Sequence, residues 1–396
     1  MVNERMKELG SRRSVIRELF EYGKLRKQEI GEENVFDFSL GNPSVPAPDA
    51  VRERLVELLQ ESDPVKLHGY TSAQGDLGVR QSIADYLNRT YGTDLRADCF
   101  YLTAGAAASL TVSLTAILNP GDEVILLAPF FPEYRVFAER TGAKVISVPC
   151  SAPDFQPDLQ ALEAAITTRT RAVLVNSPNN PTGAVLTAEN AEGMSEILRR
   201  GSERNGEPIY LIADEPYREL VYGATEVPYL PNYYENTIVC YSFSKSISLP
   251  GERIGYVMVS PRAKDFSDLY AAVCGAGRAL GFVCAPTLFQ YLIPSVLGMT
   301  ADLTVYDTNR RLLLDSLTSY GFSVVPPKGA FYLFVKAPDG DANAFCERAK
   351  AEELLLVPSE DFGCDGYVRI SYCVTTKQVE RSLPAFQRLA RSYGLG

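Results

Sequence analysis

The chain has 396 residues, 46% of them hydrophobic and 22% charged, which is typical of a soluble globular protein large enough for two packed units. Its 49 acidic and 39 basic residues give a net charge of −10, which argues against nucleic acid or an anionic membrane as a partner. The single histidine excludes a multi-histidine metal site, and the eight cysteines include no C-x-x-C pair, so we expect no metal, reduced thiols and a cytoplasmic location.

No apolar run along the chain approaches the roughly 18 residues of a membrane span. The first 30 residues lack a signal sequence and alternate charged with sparse apolar positions, which predicts an amphipathic helix or an arm that packs on another subunit. Proline, glycine and capping residues divide the next segment into short elements. In order, these are a strand at 35–40, a loop at 41–48, a helix that Asp49 caps and that ends near residue 60, a loop at 68–75 and a helix at 76–91.

Strand and helix patterns alternate from residue 99 onward. The strand segments are almost continuously apolar, and such repeats are typical of an α/β fold with a mostly parallel sheet covered by helices on both faces. The seven predicted strands span 100–103, 123–127, 144–148, 171–175, 209–213, 237–241 and 254–259, and the helices between them begin at 105 or span 133–141, 158–166 and 187–201. Because ligands bind beyond the carboxyl ends of strands in such sheets, the residues that follow each strand are the candidates for a site.

A different pattern follows the seventh strand. Long helical stretches give way to short strands and a closing helix, which predicts a smaller α+β domain built from both chain ends. The predicted helices span 262–275, 285–297, 300–320 and 376–392, and the strands span 322–325, 330–335, 354–357 and 367–372. We therefore divide the chain into an N-terminal segment that joins the small domain (1–44), a large domain (45–285) and a small C-terminal domain (286–396).

One lysine is unusual because it directly follows a buried strand. Lys245 lies among the hydroxyls of Ser242 and Ser244, eight residues before Arg253. A desolvated lysine has a lowered pKa, and its neutral amine can attack a carbonyl to form a Schiff base. The hydroxyls and the arginine suggest a bound dianion such as phosphate, and a lysine beside a phosphate site indicates pyridoxal 5′-phosphate. The alternative is a solvated loop lysine, and the other strand ends decide between the two.

Those strand ends carry groups that this cofactor requires. The backbone N–H groups of Gly105, Ala106 and Ala107 open a helix and can bind a phosphate. Phe131 follows the next strand, in a proline-framed loop where its ring can stack on a planar cofactor. Asp214 ends a later strand, and a carboxylate at that place can keep a pyridinium nitrogen protonated.

The phenolic oxygen of the cofactor ring needs hydrogen-bond donors, which Tyr217 and Asn180 can supply. Each residue also has an ordinary alternative: Asp214 as a helix cap, Asn180 as a turn former and Phe131 as a core residue. Four strands in succession, each ending in a group that one cofactor requires, favour the cofactor.

On these and further motifs, the chain resembles the class I and II aminotransferases with the aspartate aminotransferase fold. The match covers essentially the whole length, in the family's order. The motifs are G-N-P (41–43), G-Y-T (69–71), T-A-G-A (103–106), P-F-F (129–131), N-N-P-T-G (179–183), D-E-P-Y (214–217), S-F-S-K (242–245), R-I-G-Y (253–256), P-x-G-A-F-Y (327–332) and V-R-I-S-Y (368–372).

The resemblance implies a homodimer with the active site at the subunit boundary, and pyridoxal 5′-phosphate held as a Schiff base of Lys245, which also moves the proton. It assigns the other positions by motif. Asp214 would pair with the ring nitrogen, Tyr217 and Asn180 would bond the ring hydroxyl, and Phe131 would stack on the ring. The phosphate would be held by Ser242, Ser244, Arg253, Ala106 and Ala107, together with Tyr70 of the neighbouring subunit. Arg369 would clamp the substrate α-carboxylate beside Gly41 and Asn180. An arginine inside an apolar strand independently needs an anion partner.

Two places depart from the family pattern. The phosphate loop carries Ala106 and Ala107 where relatives often have serine, threonine or glycine, and Ser359 stands where relatives often have glycine.

The resemblance implies an aminotransferase that moves an amino group between an L-amino acid and a 2-keto acid by a ping-pong mechanism. The same scaffold hosts other reactions, and the alternative is a pyridoxal-phosphate-dependent carbon–sulfur β-lyase. A DNA-binding regulator is not expected, because the sequence contains no basic winged-helix extension. Arg278 is either a reader of a side-chain carboxylate across the dimer or an ordinary helix-end arginine.

Overall fold

The computed structural model describes residues 1–11 and 15–396, so residues 12–14 of the predicted N-terminal helix or arm lie outside the described part. Its largest sheet has eight strands with helices on both faces, which confirms the predicted α/β class and all seven predicted strands. Across the sheet, the strands are Phe100–Thr103, Gly255–Val259, Thr237–Ser242, Tyr210–Asp214, Thr170–Asn176, Glu123–Ala128, Lys144–Ser151 and Gln156–Pro157. The eighth strand was not predicted, because a two-residue edge strand that contains a proline has no sequence periodicity.

Five neighbouring strands in the middle of this sheet run parallel, and the strands Phe100–Thr103, Gly255–Val259 and Gln156–Pro157 pair antiparallel to their neighbours. Apolar side chains on both faces form separate buried clusters, because each face is covered by helices. The covering helices are Asp49–Glu61, Pro64–His68, Leu77–Tyr91, Ala106–Ile117, Glu133–Glu139, Leu159–Ala165, Ala188–Asn205, Phe266–Leu280 and Thr287–Val296. The short helix Phe243–Ser246 follows the strand Thr237–Ser242.

Helix starts largely follow the capping residues in the sequence. Asp76 accepts a hydrogen bond from the backbone N–H of Val79, at 3.0 Å, and so begins the helix Leu77–Tyr91. The predicted cap at Asp49 is wrong: Pro48 occupies the N-cap position, and Asp49 lies in the first turn, where its negative charge favours the positive end of the helix dipole.

A second, four-stranded antiparallel sheet forms the smaller α+β unit. In order, its strands are Ser323–Val325, Tyr332–Lys336, Tyr367–Ser371 and Val357–Pro358, and its helices are Leu303–Ser319, Ala342–Ala351 and Thr376–Ser392. The helix Ala342–Ala351 was missed, although Asp341 caps it and its buried residues recur at helical spacing. The predicted strand 354–357 is divided, because Leu354–Leu355 pairs with the N-terminal strand Phe36–Asp37 and only Val357–Pro358 joins the four-stranded sheet.

The N-terminal segment contributes the helices Glu4–Ser11 and Val15–Ile30, and Phe38 lies in the core of the smaller unit beside Phe386. The proposed domain division stays a proposal. The helix Thr287–Val296 packs against Asp49–Glu61, and its buried side chains belong to the core of the large sheet, so a boundary near residue 300 suits the packing better than 285. Within residues 1–11 and 15–396, no helix has both the length and the apolar character needed to cross a bilayer.

Candidate active site

A cavity of about 350 Å³ opens at the carboxyl ends of the parallel strands, between the large sheet and the smaller unit. Most of the residues that the sequence singled out line it. They are Gly41, Ala106, Ala107, Phe131, Asn180, Asp214, Tyr217, Ser242, Ser244, Lys245, Arg253 and Arg369. Their positions in the sequence range from 41 to 369, so only the fold brings them together.

Lys245 lies on the short helix Phe243–Ser246, whose first turn is held by the Ser242 hydroxyl accepting from the backbone N–H of Ser244 at 3.1 Å. The Lys245 Nζ donates to the carbonyl oxygen of Gly41 at 2.5 Å. Burial lowers the pKa of Lys245 to about 8, because desolvation penalises the charged ammonium. At this pKa roughly a tenth of the amine is neutral at pH 7, far more than for an ordinary lysine, which favours a role as a nucleophile or a general base.

Gly41 is needed for this close approach. A Cβ atom at position 41 would collide with the hydroxyl group of Tyr332, which forms a 2.8 Å hydrogen bond with the hydroxyl of Tyr217. The glycine therefore lets one loop present a carbonyl to Lys245 while two tyrosines meet behind it.

Asp214 ends the strand Tyr210–Asp214 and is 5% exposed. Its Oδ2 accepts a hydrogen bond from the hydroxyl of Tyr134, whereas its Oδ1 is buried without a partner. Desolvation raises the pKa of Asp214 to about 7, and the Tyr134 hydrogen bond partly opposes that rise. A buried carboxylate oxygen without a partner is costly, and the N–H of a protonated pyridine ring is a donor that fits it.

The groups around Arg253 include several hydrogen-bond donors of the kind that bind a phosphate. The helix Ala106–Ile117 begins here without a side-chain cap, so its first N–H groups are available to an anion. Gly105 precedes that helix with a φ of 86°, and a Cβ there would lie 2.7 Å from Nη2 of Arg253. Arg253 itself has a positive φ of 53° and donates to the carbonyl of Pro250 at 2.9 Å. The hydroxyls of Ser242 and Ser244, 2.7 Å apart, complete the set of donors.

Arg369 lies in the strand Tyr367–Ser371 and is 2% exposed. Its Nη1 donates to Oδ1 of Asn180 at 3.0 Å and its Nη2 to the carbonyl of Ser39 at 2.5 Å, while its Nε is buried without a partner. No carboxylate within residues 1–11 and 15–396 forms an ion pair with it, and burial lowers the pKa of the guanidinium. A buried guanidinium with a free donor in a cavity is suited to bind a carboxylate from outside.

Four residues of this site were not identified from the sequence. Tyr134 holds Asp214, Tyr332 meets Tyr217, and Asn176 accepts from the backbone N–H of Asn180 at 2.7 Å. Tyr332 ends the quoted motif at 327–332 and Tyr134 follows the motif at 129–131 by three residues, so their places in the sequence were a usable signal. Ser39 acts through its backbone carbonyl, which carries no sequence signal.

Two predicted residues do not line the cavity. Gly105 lies directly behind Arg253, and Tyr70 is 99% exposed, so it contributes nothing to the cavity of its own chain. The predicted contact of Tyr70 across a subunit boundary stays a prediction. Arg278 is exposed near the end of the helix Phe266–Leu280. The departure at Ser359 is accommodated, because its buried hydroxyl accepts from the backbone N–H of Tyr367 at 3.0 Å.

Comparison with known proteins gives a consistent result. The sequence model described as "Aminotransferase class I and II" matches residues 33–386. A solved amino transferase from Eubacterium rectale is 53% identical, with a TM-score of 0.97 over 99% of each chain. The aspartate aminotransferase of Thermotoga maritima is 32% identical over 91% of this chain and 92% of the relative. The valine–pyruvate aminotransferase of Mycobacterium tuberculosis is 31% identical over 88% of this chain and 89% of the relative.

The buried state of Asp214 predicts a pH dependence of stability. Its folded pKa is raised to about 7, so the stability contribution of the protonated carboxyl is present at low pH and is lost as the pH rises through 7. In urea unfolding of the cofactor-free chain, the free energy of unfolding of the wild type relative to Asp214→Asn should fall between about pH 4 and pH 7, by at most about 1.4 kcal/mol per pH unit. The exposed Asp85→Asn is the control, and equal slopes for wild type and Asp214→Asn would contradict the assignment.

Proposed function

Because the chain belongs to the class I and II aminotransferase family and is an aminotransferase, we propose that it uses pyridoxal 5′-phosphate to move an amino group between an L-amino acid and a 2-keto acid. The proposal rests on one observation: a half-buried lysine of lowered pKa, a buried carboxylate with an oxygen free and a buried arginine without an ionic partner line the same cavity. When bound, the cofactor supplies an aldehyde and an electron-accepting ring.

The residues of this chain fit each part of that cofactor. Asp214 Oδ1 would accept from the ring nitrogen, and the amide of Asn180 and the hydroxyl of Tyr217 would bond the ring oxygen. Phe131 would pack on the ring face, and its own ring is fixed by an edge contact with Tyr134, with centroids 5.7 Å apart. Arg253, Ser242, Ser244 and the N–H groups of the helix Ala106–Ile117 would hold the phosphate.

Arg369 would orient the amino acid by binding its α-carboxylate. The guanidinium is already held by Asn180 and Ser39 and lies 4.9 Å from the ring centroid of Tyr332 and 5.2 Å from that of Phe362, so little side-chain freedom is lost on binding. With the carboxylate fixed, the neutral Lys245 Nζ would remove the proton from the α-carbon and return a proton in the reverse half-reaction. The expected kinetic order is ping-pong, in which the first keto acid leaves before the second binds.

We also propose a homodimer. Tyr70, Val65, Leu77 and Val283 are large apolar side chains exposed by 99%, 81%, 65% and 45%, as expected of a surface that a second subunit covers. The apolar residues that line the cavity include Ile16, from the helix Val15–Ile30. The relatives act on different substrates, since one is named for aspartate and another for valine and pyruvate, so the amino donor has to be measured.

Lys245→Ala is expected to remove amino transfer, because no other amine lines the cavity within residues 1–11 and 15–396. The measurements are keto-acid-dependent amino transfer and the mass of the chain after borohydride reduction with pyridoxal 5′-phosphate, where the Lys245 peptide should lose its label. The control is Lys264→Ala, which changes an exposed side chain that contacts the carbonyl of Gly206. This variant should keep amino transfer and the label on the Lys245 peptide. Full turnover by Lys245→Ala would refute the proposal.

Arg369→Met should lower kcat/KM for the amino donor by about a hundredfold, because charge-assisted hydrogen bonds to the substrate carboxylate are lost. The cofactor-free variant should be at least as stable as the wild type, since a desolvated charge without an ionic partner is removed. Steady-state kinetics and thermal unfolding measure the two effects. A variant that loses activity only because it unfolds would show that Arg369 is structural.

A panel of amino donors with 2-oxoglutarate and pyruvate as acceptors should give parallel lines in double-reciprocal plots, the pattern of a ping-pong mechanism. The same preparation should form little pyruvate and ammonia from cystathionine, because that reaction belongs to the β-lyase alternative. Arg278→Ala should leave the activity on aspartate and glutamate unchanged if this arginine is an ordinary helix-end residue. A selective loss on these two donors would instead show that it reads the side-chain carboxylate.

A further inference from the structure

A second carboxyl group with a buried oxygen that has no partner, that of Glu219, is linked through Tyr241 to the residue after Lys245 and has no part in the chemistry described above. Glu219 follows the strand Tyr210–Asp214, and its Oε1 accepts a hydrogen bond from the hydroxyl of Tyr241 at 2.9 Å. Its Oε2 is buried and has no partner. Desolvation raises the pKa of Glu219 to about 7, so keeping a carboxyl group here is costly.

The groups around Glu219 do not offset that cost by an ion pair. Arg218 is nearby, but both of its charged contacts go to Glu215, through Nε at 2.6 Å and through Nη2, so its charge is already matched. The other titratable groups around the small cavity beside Glu219 are the phenols of Tyr86, Tyr91, Tyr229, Tyr241 and Tyr256. Stability alone therefore does not account for a glutamate at this position.

The hydrogen bonds that start at Glu219 lead to the helix that carries Lys245. The hydroxyl of Tyr241 also contacts Oγ of Ser246 at 3.1 Å, and Ser246 is the residue after Lys245 and the last of the helix Phe243–Ser246. The ring of Tyr241 cannot turn away freely, because it stacks on Tyr256 at 5.0 Å and meets Phe243 edge-on at 5.1 Å. The phenol therefore holds one fixed position between the carboxyl group and the serine.

The same serine is also held from the other side. Its backbone carbonyl accepts from the N–H of Ala301 at 2.7 Å, in the segment that connects the helix Thr287–Val296 to the smaller unit. A four-residue helix has few hydrogen bonds of its own, so these outside contacts determine the orientation of its last turn.

We propose that Glu219 is a positioning residue for Lys245, acting through Tyr241 and Ser246 to fix the end of the helix that presents the amine to the cavity. This inference rests on the proposed function only in taking Lys245 as the reacting group. A loose helix end would let the amine leave its desolvated position and its contact with Gly41, and displacement of a reacting group by about 1 Å can cost about a hundredfold in rate.

Three variants distinguish the proposed positioning role of Glu219 from an effect of its charge. Glu219→Leu removes the acceptor, Tyr241→Phe removes the phenol and keeps the packed ring, and Glu219→Gln keeps an acceptor of the same size. The matched control is Tyr234→Phe, which also deletes a buried phenol hydrogen bond, to the carbonyl of Ile209 at 2.7 Å, but is not linked to the helix of Lys245. If Glu219→Leu does not fold, Tyr241→Phe carries the test, because its core packing is unchanged.

Two measurements are made on each full-length variant. In the cofactor-free chain, the modification of Lys245 by an amine-reactive reagent is followed against pH by peptide mass spectrometry, which gives the apparent pKa of the amine without any turnover. With pyridoxal 5′-phosphate added, kcat and KM are measured for the best amino donor. If the wild type transfers no amino group, the proposed function fails, and the Lys245 titration still decides the positioning role.

Glu219→Leu and Tyr241→Phe should raise the apparent pKa of Lys245 and lower kcat by about tenfold to a hundredfold with little change in KM. For Glu219→Gln and Tyr234→Phe, kcat should stay within about threefold of the wild-type value. Glu219→Gln keeps the hydrogen-bond acceptor, and Tyr234→Phe leaves the link from Glu219 to Ser246 unchanged. A Lys245 titration in Tyr241→Phe identical to that of Tyr234→Phe would overturn the proposal. A loss in Glu219→Gln as large as in Glu219→Leu would also overturn it, since charge rather than position would then be the cause.

Discussion

Burial of charge without an internal ionic partner is the constraint on which the rest of this structure depends. Lys245, Asp214 and Arg369 are desolvated in one cavity, and none of them forms an ion pair within the described residues. Desolvation favours the neutral amine and the protonated carboxyl, which leaves both groups titrating close to neutral pH. Such an arrangement is unfavourable in a free chain, and it becomes favourable when ligand charges are added.

The fold keeps these desolvated groups in place because its rigid strands and helices end at the cavity. Parallel strands place Asp214 and the helix of Lys245 at one edge of the large sheet, and an antiparallel strand of the smaller unit brings Arg369 from the opposite side. The hydrogen bonds from Lys245 to Gly41 and from Arg369 to Asn180 join segments far apart in sequence. Lys245 and Arg369 are thus held by carbonyl and amide oxygens and Asp214 by the hydroxyl of Tyr134, so the cavity keeps its shape before any ligand arrives.

Much of this site could be predicted from the sequence, because strand ends and motifs are local features. Lys245, Asp214, Asn180 and Arg369 each follow or interrupt an apolar strand, and all of them line the cavity. The partners that hold them could not be predicted in the same way. Tyr134 is far from Asp214 in the chain, and the carbonyl of Ser39 that binds Arg369 belongs to a backbone group that every residue has. The cap of the helix Asp49–Glu61 was also misassigned, since Pro48 and Asp49 are both compatible with a helix start.

The sequence by itself determined the alternation of strands and helices, the order of the chemical groups and the family, because hydrophobic period and short motifs are written in neighbouring residues. Only the tertiary structure decided which groups are desolvated and which polar atoms are left without partners. It also connected Glu219 to the helix of Lys245 through Tyr241, and gave Ser359 a structural role in place of a glycine. Burial and hydrogen bonding depend on contacts between segments that are distant in the chain, so they cannot be predicted from the pattern of neighbouring residues.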